Sequence, residues 1–496
     1  MKDACILTSD IGTSSVKTAL FDLDGKTLAT ASQAYTTRHE RPGWSDQSAA
    51  DWWQGYQKSV RSIVAQQPDR SRQIAVIGVS GQMLGCLPVD SEGEPLYPSP
   101  IHADLRAAAE ADQIADLIGR EHIYRLTGNI LDARSSLAKL LWFKNQQPDI
   151  YREAYRFLQA KDFVVSKLTG QLDSTDYSDA VHAQWLDLER RCYLTDVLQT
   201  LGLDARRLPA VHKGSDPVGR LAATSANLLG LTAGIPVVAG AGDGACAAVG
   251  AGAGMPGDVH ACLGTTAWIC GIRKKPVFDP GQRLFNLISS DGDAYGVFGT
   301  TQNAGHAVRW AMRLFTDADE TTFDRLAGQV PPGSEGLVFL PYLDGERTPV
   351  FDADARGIFF GVGSSHDARH FRRSVLEGVA LAFASIVAIF READPVSRIR
   401  RIGGGARSEL WRAMIASACQ VDLECMATPS DEATALGMAL TAGCGVGLYN
   451  DLGNAQQIVK SKSIEQPDKG LIAVYNRIYP LYAKLYEANK ALFTAL

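Results

Sequence analysis

Asp243 is the one acidic or basic residue in a run of small and apolar residues, GIPVVAGAGDGACAAVGAGAG, from Gly234 to Gly254. Val237 and Val238 read as the end of a strand. The glycines after them allow a sharp turn, and the alanine run beyond reads as a helix packed close against its neighbours. A carboxylate at such a turn is placed to meet a substrate, and apolar surroundings raise its pKa toward the range of a general base. The competing reading is a buried aspartate that caps the following helix. Two turns of glycine and hydroxyl residues, Gly12-Thr13-Ser14 and Gly264-Thr265-Thr266, stand half a chain apart, each between two strand-like runs. Their backbone N–H groups suit an anion, and a facing pair would grip the two ends of a polyphosphate. Asp10, two residues before the first turn, is of the type that holds Mg²⁺ through water, because Mg²⁺ takes one or two carboxylates together with phosphate oxygens. The matching residue of the second half is Cys262, so one half alone carries the acid. Lys17 reads either as a phosphate contact or as an exposed strand lysine. Gly403-Gly404-Gly405 permits close approach of a flat or phosphorylated ligand, or is an ordinary strand-to-helix turn. Ser408 breaks the G-x-G-x-x-G pattern there, and no G-x-x-x-x-G-K-[ST] run occurs, which weakens a dehydrogenase reading and excludes a P-loop.

These residues need a scaffold, and the hydrophobic pattern outlines one. Residues 4–35 read as three strands with a hairpin at Asp24-Gly25, and residues 48–66 as an amphipathic helix. Residues 74–80 read as a buried strand; helices are expected over 103–118, 136–146 and 160–169, and a strand over 236–240. Residues 257–272 repeat the strand, turn, strand pattern of the N-terminus, which points to a duplicated α/β unit. A long apolar helix is expected over 371–390, a strand and helix around 399–419, a small-residue helix over 432–443 and a closing helix over 470–494. A length of 496 residues implies two or three domains, and 46% hydrophobic residues allow large cores. The net charge is −6 and no basic run is present, so no nucleic-acid partner is expected. Nine cysteines without a C-x-x-C pair read as free thiols of a reducing cytoplasm. Neither a secretion signal nor a membrane span is expected. His366 and His370 have i,i+4 spacing but lack the H-E-x-x-H glutamate, so zinc is not expected.

Together these motifs resemble the FGGY family of carbohydrate kinases, within the actin/hexokinase/Hsp70-like superfamily, nearly end to end. Asp10 to Lys17 is similar to the family's first phosphate motif and Leu263 to Thr266 to the second. Ile402 to Ser408, with Glu432 to Gly437 after it, resembles the adenosine motif. LPYLDGERTP (340–349), RGIFFGV (356–362) and SSLAKLLWFKNQQP (135–148) also look like family segments. The resemblance implies an α/β fold of two ribonuclease H-like lobes, each a mixed five-stranded sheet flanked by helices. The expected layout is 1–246 for a sugar-side lobe, 247–465 for a nucleotide-side lobe, and 466–496 for a helix that packs back on the first. It implies ATP-dependent phosphorylation of a sugar or polyol hydroxyl, with Asp243 as general base and Asp10 at Mg²⁺. ATP would be held by Gly12, Thr13, Ser14, Lys17, Gly264, Thr265, Thr266, Gly404, Gly405, Ala406 and Ser408. Family members often form homodimers. On the sugar side, GQMLG (81–85) is similar to a G-Q-M-H-G stretch of the xylulose-phosphorylating members, with Leu84 at the histidine position. His102 and Ala103 alter a second such stretch, and Gly244 follows Asp243 as in gluconate-phosphorylating members. D-Xylulose is the first substrate implied; D-gluconate, another ketose, a polyol and a linear signalling carbohydrate are the alternatives. Gln82, Met83 and Asp104 are the expected sugar contacts, with Gln302 and Asn303 behind them. The rival readings are a non-catalytic nucleotide switch of the same superfamily and a sugar-binding regulator.

Overall fold

The structure, a computed structural model, describes residues 3–403, 408–429 and 432–495. The first lobe opens with β1 (Cys5–Ile11), β2 (Ser15–Asp22) and β3 (Thr27–Ala34), an antiparallel meander. Helix α1 (Ala49–Gln66) buries Trp52, Tyr56, Val60 and Ile63, one stripe at helical spacing, against β2 and β3. Strand β4 (Ile74–Gly81) runs parallel to β1. Then come α2 (Ala160–Thr169), α3 (Tyr177–His182), edge strand β5 (Pro217–Arg220), β6 (Pro236–Val238) and β7 (Ala241–Gly242). Helix α4 (Asp243–Gly250) ends this run.

The second lobe follows the same plan. It contains β8 (Val259–Leu263), β9 (Ala267–Arg273), β10 (Phe285–Ile288), β11 (Tyr295–Thr301), α5 (Gly305–Leu314) and α6 (Ala368–Ala393). It continues with β12 (Arg398–Ile402), α7 (Glu409–Cys419), β13 (Asp422–Met426), α8 (Ala433–Gly445), β14 (Ser461–Glu465) and α9 (Lys469–Phe493).

Each lobe has a seven-stranded sheet. Within each, five strands repeat one topology, a three-strand meander whose first strand is followed by two parallel strands: β3-β2-β1-β4-β6 and β11-β9-β8-β12-β13. The remaining strands are β5 and β7 in one sheet, β10 and β14 in the other. Each Gly-hydroxyl turn therefore links the first two strands of its copy, so both turns stand at equivalent corners.

Helix α6 is long and apolar enough to cross a membrane, but 94% of its most apolar window is buried against protein, where it forms the core of the second lobe. Helix α9 departs from expectation. Its Tyr475, Tyr482 and Tyr486 join the second-lobe core, and it packs on α6 and α7 rather than on the first lobe. Helix α8 departs in the opposite direction. It lies against β1 and β4, with Met438, Ala439 and Ala442 in a cluster with Ile6, Phe21 and Val76. The boundary expected at 246/247 is thus crossed by a second-lobe helix. The helix expected from 103 begins only at Ala108, because Asp104 and Arg106 hold the preceding residues in a turn.

Helices α4 and α8 cross at the junction. A Cβ on Gly250 would stand 1.8 Å from Ala433 O, and one on Gly437 would stand 1.8 Å from Cys246 O. The two backbones approach this closely only because each supplies a glycine to the other.

Candidate active site

Between the lobes lies a cavity of about 500 Å³ that meets Asp10, Thr13, Asp243 and Thr266. A second chamber of about 440 Å³ adjoins it and shares Leu84, His102, His182 and Arg347 with it. Each of the two Gly-Thr turns gives a threonine to the wall of the inner chamber, Thr13 and Thr266. In the first, carbonyls are tied back into the protein: Gly12 O accepts from the Tyr35 hydroxyl and from Gln82 Nε2 at 3.3 Å, and Thr13 O from Gln47 Nε2 at 2.6 Å. In the second, Gly264 O accepts from Gly305 N, and Thr265 O from Ala304 N and His306 N. Gly12 N and Gly264 N are also taken up within the turns, donating to Ser15 O and Thr266 O at 3.1 and 3.0 Å, so the N–H groups of Thr13, Ser14, Thr265 and Thr266 are the polar backbone that each turn offers an anion.

Asp10 is the penultimate residue of β1, beside Ser80 of β4 in the parallel ladder, and Ser80 Oγ donates to its Oδ1 at 3.1 Å. Burial raises its pKa, against the lowering effects of Lys17 and Ser80. Asp243 is the first residue of α4, and its Oδ1 accepts from Gly244 N at 2.7 Å. Burial and then the nearby Asp10 charge push its pKa up to about 7. Two buried carboxylates lining one cavity are of the kind that suits a divalent cation together with phosphate oxygens. Among the described residues, no group of three or more His, Cys, Asp or Glu forms a closed metal cage.

The turn that presents Asp243 rests on a buried charge cluster that sequence reading missed. Lys161 Nζ lies 2.5 Å from Asp162, 3.0 Å from Asp176 and 3.1 Å from Asp179, all buried. Three carboxylates hold the lysine pKa well up, against the effect of burial. Asp176 accepts from Ser178 Oγ at 2.5 Å, and Ser178 Oγ accepts from Gly242 N at 2.9 Å, one residue before Asp243. Lys139 has a parallel role at the outer chamber. Its buried Nζ donates to Leu84 O, Ile101 O and Arg134 O at 2.7, 2.7 and 2.8 Å, binding three loops together. One of them holds Leu84 at φ 61°, a left-handed conformation rare for a bulky residue.

The other expected residues divide. Gln82 and Met83 line the inner chamber; Gln82 Nε2 donates to Gln47 Oε1 at 2.7 Å, and Met83 packs where a Gly242 side chain would stand. Gln302 lines the outer chamber and accepts from Arg347 Nε at 2.9 Å. Asp104 and Asn303 line neither chamber. Asp104 is fully buried and consumed by Arg106 (2.7 Å) and Ser45 N (2.5 Å), while Asn303 donates to Gly345 O at 2.8 Å. Asp104 is a framework residue, its carboxylate satisfied within the protein, and Asn303 is buried away from both chambers with its Oδ1 unpartnered. Ser14 and Lys17 are exposed beyond the cavity wall, Lys17 opposite Asp10 on β2. Thr265 accepts from Arg309 at 2.8 Å, and Ser408 caps α7 through Trp411 N. Gly404, Gly405 and Ala406 lie outside the described residues. The site also contains His182, Arg347, Trp268 and Thr434, none of them chosen from sequence. A lone histidine or tryptophan carries no spacing signal; Thr434 stands in a motif already noted, and Arg347 in the 340–349 segment.

Comparison with known proteins agrees with this geometry. Residues 5–250 match the N-terminal domain, and residues 259–446 the C-terminal domain, of the FGGY family of carbohydrate kinases. A xylulose kinase of Bacillus subtilis is 30% identical over 496 residues, covering 99% of this chain and 98% of its own. The crystal structure of a ligand-bound xylulose kinase from Lactobacillus acidophilus superposes with a TM-score of 0.94 at 26% identity, covering 99% of each chain. A gluconate kinase structure from the same organism gives the same TM-score of 0.94 and 26% identity, again covering 99% of each chain. Two lobes of one repeated topology, with carboxylates and paired Gly-Thr turns between them and matches over both halves, make this chain a member of the FGGY family of carbohydrate kinases.

Proposed function

We propose that this kinase transfers the terminal phosphoryl group of ATP to a terminal hydroxyl of an open-chain sugar, D-xylulose first, with Asp243 as general base. The observation that carries this reading is a carboxylate whose pKa is raised to about 7, in a cavity flanked by a Gly-Thr turn from each lobe. Gly244 N–H occupies Asp243 Oδ1, which leaves Oδ2 for the incoming hydroxyl. Asp243 takes the proton as the oxygen attacks phosphorus, and a base with a pKa near the working pH does this with least loss. The N–H groups of Thr13, Ser14, Thr265 and Thr266 bind phosphate oxygens and orient them. Mg²⁺ bound at Asp10 would neutralise charge on the transferring group. Walls from both lobes limit the water that competes with the sugar. Two of the relatives named above, the xylulose kinases of Bacillus subtilis and Lactobacillus acidophilus, support D-xylulose. The cysteines are all free thiols, in keeping with a reducing cytoplasm.

D-Gluconate is the second reading, favoured by Arg347. Its guanidinium lines both chambers, and among the described residues it forms no salt bridge. A carboxylate at the far end of the substrate would pair with it. ADP release measured against D-xylulose, D-gluconate, other ketoses and polyols, with and without Mg²⁺, tests both readings. D-Xylulose is expected to stimulate turnover most; a preference for D-gluconate selects the second reading, and stimulation by no sugar contradicts both.

A further inference from the structure

His182 ends α3 and faces both chambers. Its Nδ1 lies 2.8 Å from Asn129 Oδ1. The Asn129 amide is fixed in orientation, because its Nδ2 donates to Thr127 O, Val181 O and Asn286 O at 2.7, 3.3 and 3.0 Å. Oδ1 is therefore the atom that meets the histidine, and Nδ1 carries the hydrogen. Nε2 is left as an acceptor. The ring stacks on Phe285 with centroids 5.2 Å apart, which fixes its plane. Burial lowers the ring's pKa to about 4, so it is neutral and the lone pair persists near pH 7.

Two residues on, Gln184 repeats the pattern. It is 1% exposed and lines the outer chamber. Its Nε2 donates to Asn129 O and Ile130 O at 3.3 and 2.9 Å, while its Oε1 is buried with no partner. A buried acceptor without a donor is unfavourable unless a ligand supplies one. Gln184 is also held at φ 62°, a conformation that costs free energy in a non-glycine residue and gathers at functional sites. Leu84, across the same chambers, offers no polar side-chain atom.

We propose that His182 Nε2 and Gln184 Oε1 accept hydroxyl hydrogens of the acceptor sugar and set its specificity, with Asn129 as the residue that positions both. The substrate class is an open-chain polyhydroxy compound that enters both chambers, its reacting end at Asp243 and further hydroxyls at His182 and Gln184. This rests on the kinase reading above and names what that site recognises.

The test uses whichever of D-xylulose or D-gluconate the wild-type enzyme phosphorylates, together with its monodeoxy analogues. His182→Phe keeps the ring and its stacking but loses the acceptor. It is expected to raise the sugar KM about tenfold or more while kcat and the ATP KM change by less than about twofold. Wild type is expected to lose affinity for one monodeoxy analogue, and His182→Phe to show no further loss for that analogue. Gln184→Leu is expected to do the same for a different position, and Asn129→Ala to weaken both. The sugar-induced rise in Tm gives the same comparison without turnover. Equal deoxy penalties in wild type and both His182→Phe and Gln184→Leu would overturn the assignment, as would a fall in kcat with the sugar KM unchanged. If His182→Phe does not fold, the Gln184→Leu comparison decides. A wild-type enzyme that phosphorylates sugars but is indifferent to every deoxygenation refutes this inference alone; one that phosphorylates no sugar removes the kinase reading and this inference with it.

Discussion

At Asp243, the burial that suits the carboxylate to act as a base works against stability. Its folded pKa of about 7 stands above the roughly 3.9 of an unfolded aspartate. The folded state thus holds the proton more tightly, so the side chain's favourable contribution is complete below about pH 4 and is lost as pH rises through about 7. Asp243→Asn removes that loss, and its Tm is expected to exceed the wild-type value at pH 8 by more than at pH 5. Calorimetry at the two pH values checks this. Turnover should follow the opposite course, rising with unit slope toward about pH 7 as the base ionises and levelling above it. The place of Asp243 in the cavity was legible in sequence, because it is a lone carboxylate in a glycine-rich apolar turn between a strand and a helix. Asp104 was misread for a physical reason. Its partner Arg106 lies two residues away and folds back on it, and a sequence does not display whether a carboxylate is already satisfied. His182 was passed over because its meaning comes from Asn129, far off in the chain.

At the scale of elements, position is set by two devices. The first is the cluster around Lys161, which supports β7 and the start of α4 through Ser178. Lys161→Met removes the cation and leaves three buried carboxylates facing one another. The expected loss is about 3–5 kcal/mol of stability, measured by denaturant unfolding. In folded protein kcat should fall more than the ATP KM rises, since the turn bearing Asp243 loses its support. The second device is the glycine crossing of α4 and α8. Gly437→Ala would set a methyl group 1.8 Å from Cys246 O, and overpacking of that kind costs about 3 kcal/mol. The elements themselves were largely readable: strands at 5–11, 15–22 and 74–81 and helices at 136–146 and 160–169 follow their hydrophobic periods. The partners of α8 and α9 were not readable. A small-residue helix and an amphipathic one show which face is buried, not which lobe covers it, and Gly250 and Gly437 are recognisable as a pair only once they touch.

For the whole molecule, duplication explains the architecture. Two copies of one five-strand core bring two equivalent corners to one cavity, and each corner carries a Gly-Thr turn. The symmetry breaks at β1 and β8, where Asp10 has Cys262 as its counterpart, and at α4, which carries Asp243. This asymmetry puts a Gly-Thr turn on both sides and carboxylates on one, the arrangement on which the proposed phosphoryl transfer rests. The duplication was visible in sequence from the repeated turn in its strand context. The chambers were not, since their walls come from loops far apart in the chain. The most direct test of the account follows phosphoryl transfer itself. Wild type and Asp243→Asn are mixed with Mg-ATP and D-xylulose or D-gluconate, and sugar phosphate is followed by ³¹P NMR alongside ATP affinity. Wild type is expected to form a sugar phosphate, and Asp243→Asn to form it about 10²–10⁴-fold more slowly while binding ATP equally well. An Asp243→Asn enzyme that forms sugar phosphate at the wild-type rate would contradict the account.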